Sequence, residues 1–488
     1  MNASEPIRQH ALRTPNAIAY MDAHARVANY AILERSIDAV AHRIRDLGLV
    51  PGQTAALATS DLLTYIVIAL ALARLGIARG PINLPAHLTD IAILDRGAPG
   101  NDCARTVTPD DLSPTDLLAR GSVTPVKPHG DGAAILMHCP TSGTTGRPKF
   151  TPISHDLAMR RVDSRALGLE KIAGGRGTAA ARQVSYSNAG SSYGFSSLLI
   201  VLCGGGTVLE PNTDEGAVAP WLARSGVNYI VTSPFFLQQV AQLLPALRSP
   251  NSLETIEVGG GALPAPVYEL ARDRMCANII VNYGLTEAGR VACAPAAVAR
   301  GNPGAVGYPY PGVEIQIVDE DDRPVAAGRE GIVRIRSEQN ASGYLDDPEA
   351  SAAVFRAGFV YPGDRGMLGP DGLLRLAGRV DEIINCGGAK VSPYPLETAM
   401  MALGEVREVV VFGATDGAGV SHVCAAVVAD RPIDLSAFQA RCRGQFGPIA
   451  PVYIMQVREV PRNAEGKVVR SELARIAIEA NRAQTARG

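Results

Sequence analysis

The stretch Pro140-Thr-Ser-Gly-Thr-Thr-Gly-Arg-Pro-Lys149 decides how the rest of the chain is read. Thr141, Ser142, Thr144 and Thr145 supply short hydroxyl donors, Gly143 and Gly146 offer backbone N–H groups, and Lys149 adds one cation. That combination suits a polyanion such as a triphosphate. It is not a Walker A loop, which needs Gly, four residues and then Gly-Lys-Ser/Thr. Here Lys149 follows Gly146 by three positions and precedes Phe150. An ordinary surface turn has the same composition, and the loop alone does not separate the two readings. Upstream, Ala133-Ala-Ile-Leu-Met-His138 is apolar and strand-like, so the loop is expected to leave the carboxyl end of a buried strand, where α/β proteins bind ligands.

The chain has 488 residues, more than one hydrophobic core usually organises, so two or more domains are expected. With 46 basic and 48 acidic residues there is no electrostatic case for nucleic acid or an anionic membrane, and a small-molecule partner fits better. The 8 cysteines stand singly, with no Cys-x-x-Cys pair and no histidine spaced to complete a zinc site. A reducing, cytoplasmic location follows as the simplest expectation. The first residues lack a basic region followed by an apolar core, so no signal peptide is expected. The most apolar segment, Leu62 to Ile77, is interrupted by Thr64, Tyr65 and Arg74 and is short for a membrane span, so it reads as a buried helix.

Around the loop the periodicities alternate. Leu33, Ile37, Val40, Ala41, Ile44 and Leu47 form one helical face closed by Gly48. A strand over 54–59 follows, then a helix that Ser60 can cap. Short strands are expected at 228–232, 255–258 and 277–282, with a helix over 235–244 between the first two. Such alternation predicts parallel, helix-covered sheets. His155, at the start of a helix after the loop, reads as a cap or a solvated residue rather than a catalytic one.

Thr-Ser-Gly-Thr-Thr-Gly-x-Pro-Lys resembles the signature loop of the adenylate-forming superfamily of acyl-CoA synthetases, peptide-synthetase adenylation domains and firefly-type luciferases. Four further strings match that family in order: Gly259-Gly-Gly-Ala-Leu-Pro264, Tyr283-Gly-Leu-Thr-Glu287, Leu376-Ala-Gly-Arg-Val-Asp-Glu-Ile-Ile-Asn-Cys-Gly-Gly388 and Pro461-Arg-Asn-Ala-Glu-Gly-Lys467. Val306–Gly312 and Gly343-Tyr344 resemble lesser landmarks that support the alignment more than the chemistry. The resemblance implies a large multi-subdomain adenylation domain over 1–379 and a small mobile α/β domain over 380–488, joined at a hinge near Asp381.

It also implies roles for residues. The loop Thr141, Ser142, Gly143, Thr144, Thr145, Gly146 and Lys149 would bind ATP, with Gly260, Gly261, Ala262 and Tyr283 around adenine. Thr286 would bind phosphate and Glu287 would hold Mg²⁺, a hard cation suited to carboxylate oxygen. Asp364 would accept both ribose hydroxyls, Arg379 would reach ribose or phosphate, and Lys467 would be catalytic. Ser191, Ser192, Tyr193, Gly194 and Gly259 would line the acyl pocket, and Gly387 and Gly388 would meet the pantetheine arm of CoA. Phe150 where Gly is common, Pro362 in place of Thr, and no His or aromatic at 187–191 depart from the family pattern.

The region 185–197 also holds no Asp that could pair with the ammonium of an α-amino acid, and leaving that group unpaired would cost on the order of 3–5 kcal/mol. The expected activity is AMP-forming, Mg²⁺-dependent ligation of a carboxylic acid to CoA. Delivery to a separate carrier protein and a non-catalytic nucleotide-binding paralogue are the alternatives.

Overall fold

The computed structural model describes residues 1–98, 103, 105–112, 123–141, 148–173, 181–212, 214, 216–244, 252–386, 389–415, 421–463 and 466–485. These form two compact units, one of residues 1–315 with 335–362 and one of residues 316–334 with 363–488.

The first unit holds two sheets. The smaller runs Thr106–Val107, Ile91–Leu94, Thr54–Ala58, Ala78–Gly80, Ile135–Thr141, Lys149–Ser154, and is parallel except for the last pair. Tyr30–Asp46 and Leu62–Leu75 are helices, the second buried from Tyr65 onward. Its mostly Leu, Ala and Ile content suits a helix surrounded by protein. Gly76, at φ +69°, ends it in the left-handed conformation that glycine takes without strain. Its cap is Asp61, whose carboxylate accepts from the Thr64 N–H, and not the expected Ser60. The Ser60 N–H and hydroxyl instead both donate to Asp95. Two adjacent residues could each cap, and the Asp95 acceptor took one of them.

In the larger sheet six strands are parallel, in the order Ile18–Met21, Thr207–Leu209, Arg182–Ser185, Tyr229–Thr232, Thr255–Gly259, Ile279–Leu285. Gly289–Pro295 then turns back antiparallel to Ile279–Leu285. Helices Val218–Ser225, Pro234–Leu243 and Ala265–Arg274 pack on this sheet around Trp221. Among the described residues no helix is long and apolar enough to cross a membrane, and none of the eight cysteines is disulfide-bonded.

The second unit contains the antiparallel pair Asp364–Leu368 and Leu374–Arg379. It also holds a three-stranded sheet of Glu408–Thr415, Ser421–Val428 and Tyr453–Gln456. Alternate residues of Glu408–Thr415 serve two cores. Val409 and Val411 meet Leu396, Met400 and Phe438 of the helices Pro393–Met401 and Leu435–Phe446. Val410 and Phe412 join Leu473 and Ala477 of the helix Arg470–Thr485.

Candidate active site

Three sequence-distant strings converge in the first unit. Thr141 and Lys149 are paired across the antiparallel hairpin of Ile135–Thr141 and Lys149–Ser154. Residues Ser142, Gly143, Thr144, Thr145 and Gly146 lie outside the described residues. The Leu345 N–H donates to the Phe150 carbonyl at 2.7 Å, which sets Tyr344 beside the hairpin. Lys149 Nζ stands 5.3 Å from the centre of the Tyr344 ring, and the Tyr344 hydroxyl donates to Glu287 Oε1 at 2.7 Å. Tyr344, expected to support the alignment more than the chemistry, therefore ties the Lys149 hairpin to the turn that carries Glu287. The turn is held by its backbone as well. The Ala341 N–H donates to the Glu287 carbonyl at 2.7 Å, and Arg161 Nη2 donates to the Thr286 carbonyl at 3.0 Å.

The adenine candidates come together through strand register. Gly259 pairs with Asn282, so Gly260, Gly261 and Ala262 leave the sheet beside Tyr283, with Gly260 at φ +81°. The strand does not stop before the motif, as its residue pattern predicts; it runs through Tyr283 to Leu285 with a register shift at Gly284. A Cβ on Gly284 would lie 2.7 Å from the Gly289 carbonyl oxygen, which explains the glycine.

Among the acyl-pocket candidates, Ser191 is the N-cap of the helix Ser192–Cys203. Its hydroxyl accepts from the Gly194 N–H at 3.0 Å and donates to the Asn188 carbonyl at 2.7 Å. Gly194 packs so closely on Asn188 that a Cβ would reach its carbonyl oxygen. Ser192 is half-buried. The Tyr193 ring abuts Gly259, where an added Cβ would stand 2.9 Å from it.

Sequence reasoning missed the group beneath them. Glu257, 1% exposed, takes Arg165 at 2.8 Å, Arg290 at 3.1 Å, the hydroxyls of Tyr229 at 2.8 Å and Tyr193 at 3.1 Å, and Asn282 Nδ2 at 2.9 Å. Burial alone would favour the neutral acid. The two guanidinium groups outweigh it and hold the carboxyl well below its usual range. The available signal was a single acid inside the otherwise strand-like Thr255-Ile-Glu-Val258. His155 is likewise not solvated. It is fully buried, its Nδ1 accepts from the Ala3 N–H at 3.0 Å, and burial brings its pKa down to about 4.

In the second unit Asp364 is buried opposite Arg379, its Oδ1 3.6 Å from Arg379 Nη1, while Arg379 also binds Asp381 through Nε at 2.9 Å and Nη2 at 3.2 Å. Lys467 is exposed on a tight turn. Its N–H donates to Asn463 Oδ1 at 2.9 Å and its carbonyl accepts from the Asn463 N–H at 2.9 Å. Arg470 anchors that turn's exit to Glu382 at 3.1 Å and Glu397 at 2.8 Å. Gly387 and Gly388 lie outside the described residues.

The sequence profile of the AMP-binding enzymes matches residues 85–345, and that of the AMP-binding enzyme C-terminal domain matches residues 395–467. This chain belongs to the AMP-binding enzyme family. The AMP-binding enzyme is 26% identical to a 2-succinylbenzoate–CoA ligase of Geobacillus kaustophilus over 96% of this chain and 97% of that one. It is 29% identical to a medium/long-chain-fatty-acid–[acyl-carrier-protein] ligase of Mycobacterium tuberculosis over 84% of this chain and 83% of the relative. The fold matches that of the o-succinylbenzoate coenzyme A synthetase of Bacillus subtilis solved with ATP and a magnesium ion, with a TM-score of 0.82 at 22% identity, over 96% of this chain and 98% of that one. The expected α/β fold and the enzyme class, an AMP-forming acid–thiol ligase, both stand.

Proposed function

We propose that this enzyme joins a small carboxylic acid to CoA through an acyl-adenylate. In the first half-reaction a carboxylate oxygen attacks the α-phosphorus of ATP and pyrophosphate leaves. In the second the CoA thiol sulfur attacks the acyl carbon, AMP leaves and the thiol proton is released. The observation that carries this reading is the Lys149–Tyr344–Glu287 cluster, which gathers a phosphate hairpin and an acid turn at the ends of neighbouring elements.

Glu287 suits magnesium. It is a half-buried carboxylate oriented by a phenol and, among the described residues, in no ion pair, and magnesium typically takes one or two carboxylates plus substrate phosphates. Bound there with ATP, the ion would neutralise phosphate charge. Thr286 is assigned to phosphate, Tyr283 with Gly260, Gly261 and Ala262 to adenine, and Asp364 with Arg379 to ribose.

Lys467 is assigned to the first half-reaction, where bringing a carboxylate to a phosphate sets negative charge against negative charge. The domain boundary is placed at 379/380, with Asp381 as the hinge between the adenylating arrangement and a thioester-forming one that uses Gly387 and Gly388. Lys467→Ala is expected to slow ATP–pyrophosphate exchange by about 10²–10³-fold while leaving thioester formation from supplied acyl-adenylate near wild type. Equal loss in both half-reactions would remove Lys467 from this role. The likeness to a carrier-protein ligase favours a second acceptor, the phosphopantetheine of a separate carrier protein.

A further inference from the structure

Two buried guanidinium groups flank residues 190–194, and neither has a part in the chemistry above. Arg79, 1% exposed, donates through Nη1 to the Tyr65 hydroxyl and to the Gly190 carbonyl at 3.3 Å, and through Nη2 to the Met137 sulfur at 3.1 Å. Its Cζ lies 4.4 Å from the Phe195 ring centre and 5.4 Å from that of Tyr65, and Nε has no hydrogen-bond partner. Among the described residues no carboxylate pairs with Arg79.

Arg290, also buried, must share Glu257 with Arg165. Its Nε lacks a partner too, and its Cζ stands 5.7 Å from the Tyr193 ring centre. Arg165 and Arg290 thus share a single anion, Glu257, Arg79 has only neutral partners among the described residues, and the stretch Ser185–Phe195 contains no acid.

Aromatic faces and neutral acceptors compensate a desolvated guanidinium less completely than a carboxylate does. Arg79 lies directly behind the Gly190 carbonyl, while Gly190, Ser191 and Ser192 are partly open to solvent. In a low-dielectric interior the positive charge acts across the segment on whatever lies against it.

We propose that the acid activated here is a dicarboxylic acid, whose second carboxylate is drawn to residues 190–193 by Arg79, with Arg290 reinforcing it. This rests on the carboxylate-activating reading of the same site.

The test is ATP–pyrophosphate exchange with the full chain on matched pairs of aliphatic and aromatic mono- and dicarboxylic acids, for the wild type, Arg79→Met and Arg79→Lys. Tryptophan fluorescence confirms that each variant is folded. The wild type is expected to favour the diacid in kcat/KM by about tenfold or more. Arg79→Met should remove most of that preference through the diacid's KM while monoacid turnover changes little. Arg79→Lys, which keeps the charge without the planar fork, should retain part of it. Should the wild type prefer monoacids, or Arg79→Met affect both acids alike, the proposal is overturned while acid activation stands. No exchange with any acid would overturn the activation reading itself and this proposal with it.

Discussion

The Tyr344 hydroxyl orients a carboxylate, and its ring carries a lysine, so the two functions can be separated by substitution. Tyr344→Phe removes only the oxygen that donates to Glu287 at 2.7 Å and keeps the ring beneath Lys149. A hydrogen bond to a charged group contributes roughly 1.5–3 kcal/mol, so binding of ATP in the presence of Mg²⁺ should weaken by about tenfold, with a rise in the Mg²⁺ concentration needed. Tyr344→Leu, which also takes the ring from Lys149, should weaken ATP binding further, and should do so even without added Mg²⁺. Calorimetric titration of ATP at several Mg²⁺ concentrations separates the two effects. A phenylalanine variant with wild-type Mg²⁺ dependence would mean that Tyr344 merely packs.

The elements that flank the phosphate hairpin carry two buried neutral imidazoles, His138 in the strand Ile135–Thr141 and His155 at the start of the helix His155–Ala173. Burial brings each down from 6.5 to about 4, helped by Arg79 for His138 and by the terminal amine for His155. Between those values the unfolded chain binds more protons than the folded one. Each histidine's contribution is therefore fully present above about pH 6.5 and is lost as pH falls toward 4, by up to roughly 3 kcal/mol per site. Urea unfolding followed through Trp221, the single tryptophan and part of the first unit's core, should show its midpoint falling over that range. A flat profile from pH 7 to 4.5 would contradict the buried, neutral assignment.

Periodicity made most elements legible. The helices Tyr30–Asp46 and Leu62–Leu75 and the strand Thr255–Gly259 follow from spacing alone. What stayed hidden depends on partners distant in sequence. Asp61 rather than Ser60 caps because Asp95 claims the serine, and His155 is buried because residue 3 lies against it. Glu257 gains meaning only from Arg165 and Arg290, 92 and 33 positions away. The helix Glu5–Arg13 was not anticipated.

The matched motifs are divided between two compact units: Lys149, Glu287 and Tyr344 lie in one, Asp364, Arg379 and Lys467 in the other. Each unit has hydrophobic cores of its own. The family's motifs made the reaction class legible. The identity of the acid was not, because it depends on side chains such as Arg79 that no motif contains. The central claim is acid activation followed by transfer to a thiol, and mass-spectrometric identification of the products tests it most directly. Purified protein would be given ATP, Mg²⁺ and a panel of mono- and dicarboxylic acids, with and without CoA. The account predicts pyrophosphate and acyl-adenylate without CoA, and acyl-CoA with AMP when CoA is present. Acyl-adenylate that accumulates unchanged in the presence of CoA would contradict it.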